Sequence, residues 1–557
     1  MTDTKRDLLL QRLGALKRER SSFDEHWTEL SEYLLPRSGR FQVTDRNRGD
    51  RSRWNQILDS TGTKALRTLA AGMMAGMTSP ARPWFRLGTP DGELNTYAPV
   101  RQWLDDVSKV LLTVFAKTNT YRSLHSTYEE LGAFGTAANL VLPDFDSVLH
   151  HYPQTVGEYF VAQNGKSQVD TLYREFQMTV GQMVKEFGKD NVSTTVANLF
   201  DRGELDAWMT VVHAIEPRED REYGKRDAKN MPWRSCYLEP GADAGKYLRE
   251  SGYKRFRAVV PRWGAIGGDV YGTSPGMEAL GDIRQLQHEQ LRKATGIDYK
   301  TNPPLQVPVA LQNSEVDRLP GGISYVPMSS AQQAVRTLFD VTLDLSHLLD
   351  DIRDVRERIN GTFYADLFLM LANSTRTNMT ATEVAERHEE KLLMLGPTLE
   401  RLHNELLSPL IDIAFEDALA AGLIPPPPEE LQGMDLDVEF VSMLAQAQRA
   451  VATNSVDRFV GNLGAIAAFK PDVLDKFDAD EWADSYSDML GVDPDLIVPT
   501  EKVALIRQQR AQAAQQAQQA AMMQQGAATV KDIAAARQTD PDGVGSAIDQ
   551  FSGYTTA

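Results

Sequence analysis

Apolar residues recur at broadly helical spacing from the start of the chain. Leu9, Leu13, Leu16, Phe23, Trp27, Leu30 and Leu34 predict a helix over 4–35 that ends before Pro36. The stretch TKALRTLAAGMMAGMTSPARPWFRL (63–87) predicts a helix of small residues that runs into Ser79-Pro80 and then an aromatic segment. Residues 101–135 read as helix again. Between about 137 and 265 the texture changes to short aromatic and β-branched runs split by turn residues, among them ANLVLPDF, LYREFQMT, AWMTVVHAI, RSCYLEP and RFRAVVPRW. This is the pattern of an α+β region with an antiparallel sheet.

Beyond residue 274 the chain turns strongly helical. One helix is expected over 275–296, and a Pro-rich extended excursion over 300–328 (NPPLQVPVAL, GGISYVPM). The longest clean periodicity follows. Leu338, Val341, Leu345, Leu348, Ile352, Val355 and Ile359 advance by steps of 3 and 4, which is a heptad seam. With no Gly or Pro from 332 to 360, the expected helix is roughly 40 Å long at 1.5 Å per residue. Such a seam packs either between neighbouring copies or within a helical hairpin of one chain. A polar interruption, ANSTRTNMTATEV (372–384), precedes two more expected helices, 381–395 and 397–421, broken at Gly396-Pro397. Pro425 to Pro428 form a stiff connector. Short helices are expected over about 440–490, then a Gln/Ala-rich helix around 507–525, and a disordered Gly-, Asp- and Thr-rich tail.

The length of 557 residues gives a soft expectation of three to four domains, and 42% hydrophobic with 24% charged residues is ordinary for globular chains. The single cysteine, Cys236, rules out an internal disulfide and a multi-cysteine zinc site. Met1-Thr2-Asp3 leads into charged residues rather than a secretory signal, and no apolar run approaches the roughly 20 residues that span a bilayer. A net charge of −18 argues against a protein that grips nucleic acid over its whole surface. It permits one past which nucleic acid slides. Arg37, Arg40, Arg46, Arg48, Arg51 and Arg53 make one basic stretch, which suits either a contact with DNA or an acidic partner, or a solvated loop.

Candidate chemistry is sparse. Gly272-Thr273-Ser274-Pro275-Gly276 matches the G-x-S-x-G elbow of serine hydrolases. The residue after that serine must donate its backbone N–H to the oxyanion, and Pro275 has none. Serine followed by proline is instead a helix start, with Ser274 as cap. Gly165-Lys166-Ser167 ends like a P-loop, but Phe160 stands where the earlier glycine belongs. His150 and His151 are adjacent, so a strand sends them to opposite faces. His288 and His388 each precede a glutamate without the second histidine of H-E-x-x-H. No active site, cofactor site or metal site is expected.

The order of elements, with HWTELSEYLLPRSGRF (26–41), AAGMMAGMTSPARPWFRL (70–87), PRWGAIGGDVYGTSPGMEALGDIRQL (261–286), TNMTATEVAERHEEKLLMLGPTLERLHNELLSPLI (377–411) and VEFVSMLAQAQRA (438–450), resembles the head-to-tail connector, or portal, proteins of short-tailed, podovirus-like phages. The similarity covers about residues 5–510. It implies a mainly helical α+β subunit in a ring, usually dodecameric, at one capsid vertex in the virion, assembled in the host cytoplasm. DNA is packaged and ejected through such a ring. The implied partners are further copies of the chain, the terminase large subunit, major capsid and scaffolding proteins, tail adaptor and tail proteins, and double-stranded DNA passing through without specific grip, with no membrane.

By position, the resemblance implies a wing over 1–268, a first stem helix over 269–299, a clip over 300–331 and a second stem helix over 332–360. The channel loop and long wing helices take 361–424, the crown 425–506, and the Gln/Ala-rich helix and tail 507–557. The channel loop is then Asn373, Ser374, Thr375, Arg376, Thr377, Asn378, Met379 and Thr380. The heptad residues Leu338 to Ile359 become a candidate seam between neighbouring stems, and Pro304, Leu305, Val307 and Val309 a candidate clip contact with the motor. Asp340, Asp344, Asp351 and Asp354 form a stripe that either lines the channel or is a solvated outer face. The rival reading is a helical oligomeric scaffold or adaptor that has no enzymatic role and no DNA channel.

Overall fold

The first helix serves two cores, because its apolar positions change partners midway. In a computed structural model of the chain, α1 (Lys5–Tyr33) lays Leu9, Leu13 and Leu16 on one face of a five-stranded sheet. Its later residues Trp27 and Leu30, with Leu34 just beyond, enter the main core. The structure describes residues 5–301, 305–306, 336–337, 346–374, 394–442, 444, 459–483 and 498–539, apart from short gaps within those ranges. Two compact units divide the chain, 1–453 and 454–557.

In the first unit, α2 (Thr61–Met77), α3 (Ala98–Lys117) and α4 (Thr120–Phe134) surround the main core. The small residues of α2 permit a close helix crossing. A Cβ on Gly72 would stand 2.2 Å from Cβ of Phe368, on a helix described below. The sheet region follows the alternation of the sequence. Strands β2 (Ala138–Asp144) and β3 (Val148–Gln154) form a hairpin that β9 (Ala258–Val259) extends, in the order β3-β2-β9. Strands β4 (Tyr159–Gln163), β5 (Val169–Thr179), β6 (Trp208–Pro217), β7 (Trp233–Leu238) and β8 (Arg249–Tyr253) form an antiparallel meander. Adjacent residues face opposite ways: Val212 and Cys236 meet α1, whereas Val211 and Tyr237 meet α5 (Val180–Phe187) and α6 (Thr194–Asp201). A reciprocal Thr179–Gln182 capping box starts α5.

The region expected to form the stem departs from the expected helix boundaries. Helix α7 runs Pro275–Thr301, longer than expected, and is followed by β10 (Leu305–Gln306). That strand pairs antiparallel with β11 (Arg336–Thr337). The helix expected over 332–360 is therefore interrupted at Arg336–Thr337, which is extended. Helix α8 covers Ser346–Thr362, followed by α9 (Ala365–Ser374), the helix of Phe368. The absence of Gly and Pro permits a helix through Arg336–Thr337 but cannot require one. A backbone that finds a partner strand satisfies its hydrogen bonds there instead.

The break expected at Gly396-Pro397 is also corrected. Residues 394–402 are helical through it, and they continue by one π turn, His403–Leu407, into α10 (Ser408–Ala420). Pro409 follows that turn. A proline has no N–H and crowds the carbonyl four residues back, so a locally widened helix accommodates it.

The chain does not divide at 425, where a crown was expected to begin. Strand β12 (Asp437–Phe440) pairs with β1 (Phe85–Gly88), Trp103 Nε1 donates to Pro425 O at 3.0 Å, and Leu431 and Leu444 join the main core. Residues 425–444 thus belong to the first unit. The second unit holds α11 (Thr500–Thr539), longer than the Gln/Ala-rich stretch, whose Arg507 forms a two-pronged ion pair with Asp480 at 2.5 and 2.7 Å. The tail beyond 539 lies outside the described residues.

Candidate functional site

The serine of the G-x-S-x-G string is a structural cap. Ser274 is buried, its Oγ accepts the Met277 N–H at 3.0 Å, and it donates to Ala133 O at 2.8 Å. Pro275 occupies the first helical position of α7. The glycines serve packing: a Cβ on Gly272 would lie 2.5 Å from the Gly135 carbonyl oxygen. Lys166 and Ser167 lie in the turn between β4 and β5, where Asn164 Oδ1 accepts the N–H groups of Lys166 and Gln168 at 2.9 and 3.1 Å. That is a side-chain-stabilised hairpin turn, not a phosphate cradle.

The buried histidines are neutral core groups. His151 sits between Asn139 at 2.8 Å and Thr120 at 2.9 Å, and burial pushes its pKa down to about 3, with His150 adding to the effect. His213 stacks on Tyr237 at 3.8 Å and is held well below its ordinary value by burial and then by Arg174 and Arg249. Among the described residues no group of three or more His, Cys, Asp or Glu is arranged to hold a metal ion. Among them, too, no helix is long and apolar enough to cross a membrane.

The described part of the heptad seam turns inward. Ile352, Val355 and Ile359 are 2%, 0% and 0% exposed and belong to the main core of their own chain, while Leu348 packs at its edge. These residues are therefore not available to a neighbouring stem, which corrects the ring-seam reading for them. Periodicity reports one apolar face and carries no information on which chain covers it. Leu338, Val341 and Leu345 lie outside the described residues.

An ion pair joins α7 to α8. Arg358 donates to Asp282 at 3.1 Å and to Asp354 at 2.7 Å. Asp351 stands beside Glu289, whose carboxyl is pushed above its ordinary range by burial and then by that neighbouring acid. Asp351 is thus turned toward α7, and Asp354 is exposed beside Arg358. Asp340 and Asp344 lie outside the described residues. So do Pro304, Val307 and Val309, whereas Leu305 is in β10. Of the loop residues, Asn373 and Ser374 end α9, and Thr375, Arg376, Thr377, Asn378, Met379 and Thr380 are outside.

Sequence reasoning missed the charged ties that fix the sheets to the later helices. Arg257 places Nη1 2.7 Å from both carboxylate oxygens of Asp417, on α10. Arg262, 3% exposed, binds Glu405 of the π turn at 2.6 Å and also the Ser167 carbonyl at 2.8 Å. Their partners stand about 140 to 160 positions along the chain, and no local spacing signals them.

The family profile described as bacteriophage head to tail connecting protein matches residues 6–498. The chain is 64% identical over 552 residues to a probable portal protein of Bordetella phage BPP-1, covering 99% of each. It is 46% identical over 542 residues to the portal protein of Salmonella phage epsilon15, covering 97% of each. Among solved structures, a chain in the neck of an empty gene transfer agent particle is 11% identical, with a TM-score of 0.39, over 82% of this chain and 96% of that one.

Proposed function

The chain belongs to the family of bacteriophage head to tail connecting proteins, and on that premise we propose how it works as a portal. It is a virion protein that forms the ring-shaped channel at a capsid vertex through which viral DNA is packaged and ejected. The observation that carries this reading is identity of 64% and 46% to two portal proteins across 97–99% of both chains. The net charge of −18 supports it physically. A conduit lined by Lys and Arg would release counterions and hold the duplex, whereas carboxylates leave it mobile.

The finer roles are proposals that rest on chemistry and family resemblance. Residues 373–380 line the narrowest point, where small polar groups hydrate the phosphate backbone and Arg376 supplies one salt-screened attraction per copy. Asp340, Asp344 and Asp354 contribute to the channel wall. The clip around Pro304, Leu305, Val307 and Val309 docks the terminase large subunit and later the tail adaptor. Electron microscopy of the purified protein tests the central reading. Closed rings with an axial hole wide enough for duplex are expected, and filaments or dimers alone would support a scaffold without a channel.

A further inference from the structure

Two features that the channel reading does not use meet beside α4: the start of the basic stretch Arg37 to Arg53, and a buried carboxyl group with no cation of its own. Glu130 is 8% exposed, and among the described residues it forms no ion pair. Its partners are neutral donors. Thr155 Oγ1 donates to it at 2.8 Å, the Val156 N–H donates at 3.3 Å, and the Ser38 hydroxyl is hydrogen-bonded to it as well.

These groups tie the segment that leaves α1 to the turn between β3 and β4. The same Thr155 hydroxyl accepts the Gly39 N–H at 2.7 Å, and the Arg40 N–H donates to Val156 O at 2.7 Å. Arg40 also pairs with Glu158 at 2.7 Å. The approach is close, since a Cβ on Gly157 would stand 2.3 Å from the Arg40 carbonyl oxygen. One hydrogen-bond network, centred on Glu130, therefore holds residues 38–40.

We infer that Glu130 is a pH-sensitive latch: in its neutral form residues 38–40 stay docked on the turn 155–158, and its ionisation releases them, Arg40 included. A carboxylate without a cation is costly to keep from water, and opening the segment returns it to water. The charged groups around it offer no relief. Arg20 of α1 is engaged with Asp24 at 2.9 Å and with the Gly157 and Tyr159 carbonyls at 2.8 and 3.0 Å. Arg40 is taken by Glu158, whose own charge opposes ionisation of Glu130. The Tyr159 hydroxyl donates to Thr136 O at 3.0 Å, and burial, then the charge of Glu130, raises its pKa well above the ordinary value, so it stays neutral. Burial lifts Glu130 from the ordinary 4.5 to about 7, against its three hydrogen bonds and with Glu158 adding to the rise. The docked state thus holds this proton more tightly than the open state. Docking is complete below the ordinary carboxyl value and is lost as pH rises through about 7.

Hydrogen exchange of the full-length protein tests the latch, with protection factors followed from pH 5 to pH 8 for a peptide spanning residues 36–42. They are expected to fall by more than about tenfold while those of β5 and β6 hold. In Glu130→Gln, fixed in the neutral form, protection should stay at its acid level throughout. No fall in the unaltered protein, a fall of equal size in β5 and β6, or a parallel fall in Glu130→Gln would each overturn the inference. Glu158→Gln keeps the test open if Glu130→Gln does not fold. The fall should persist in that variant, because Glu158 is not the group that titrates; its disappearance there would move the switch to Glu158 and defeat the assignment to Glu130.

Discussion

Arg356 of α8 reaches Asp59 at the entrance to α2, with Nη2 2.7 Å and Nε 3.2 Å from one carboxylate oxygen. The other oxygen accepts the Thr61 N–H at 2.8 Å, so one side chain joins the start of α2 to α8. Gln287 of α7 completes the junction, accepting the Asp59 N–H at 2.7 Å and donating to its carbonyl at 2.9 Å. Asp59→Ala should cost about 1 kcal/mol, because it removes a helix-start bond and the ion-pair partner of a half-exposed Arg356. Burial acts to raise the Asp59 pKa, but the bonds from Thr61 and Arg356 outweigh it and hold the carboxyl below its ordinary value. Its contribution is therefore present above the unfolded pKa and lost as pH falls through the lower folded one. Urea titrations of the two proteins should converge in strong acid; a constant gap down to that range would contradict the assignment.

Glu130 has the opposite sign. It accepts from Thr155 Oγ1 at 2.8 Å and from the Val156 N–H at 3.3 Å, and burial raises its pKa to about 7 in spite of these bonds. The folded state binds this proton more tightly than the unfolded state does. Stability from Glu130 is present below the unfolded pKa and lost as pH climbs toward 7, by on the order of 3 kcal/mol. Glu130→Gln should flatten the decline of the unfolding midpoint between pH 5 and pH 8. An unchanged slope would mean that Glu130 is ionised throughout.

Gly72 has no room for a side chain against Phe368, whereas a Cβ on Gly165 would meet nothing within 4 Å. Gly72→Ala should lower stability by about 1–3 kcal/mol through overpacking at the crossing of α2 and α9. Gly165→Ala serves as the control and should change the melting temperature little. Equal effects would show that the crossing relaxes freely.

Burial of the seam changes what its mutation does. Ile352→Ala should destabilise the isolated subunit by about 2–4 kcal/mol, since it opens a cavity in a core that the chain fills by itself. A fully stable subunit that merely failed to assemble would restore the seam to the interface between copies.

Ser274→Ala should weaken the start of α7 by roughly 1 kcal/mol, with a further loss from the unpaired Ala133 carbonyl. Thermal unfolding measures this. An unshifted transition would show that the cap is dispensable.

The sequence by itself determined whatever its own neighbours in the chain could enforce. Ser274-Pro275 starts a helix because the cap acceptor and the missing N–H act within one turn. The alternation over 138–259 yielded antiparallel strands because each apolar residue needs one covered face. The stripe through Ile352, Val355 and Ile359 was legible as buried for the same reason. Tertiary structure alone decided what covers that stripe, since any apolar surface of matching shape does so, and here it is the chain's own core. It also drew Arg336–Thr337 into a strand with Leu305–Gln306, and Asp437–Phe440 into a strand with Phe85–Gly88. Backbone hydrogen bonds to a distant segment leave no trace in local spacing. The same holds for Arg257 with Asp417: an arginine and an aspartate 160 positions apart become a pair only when folding removes water from both.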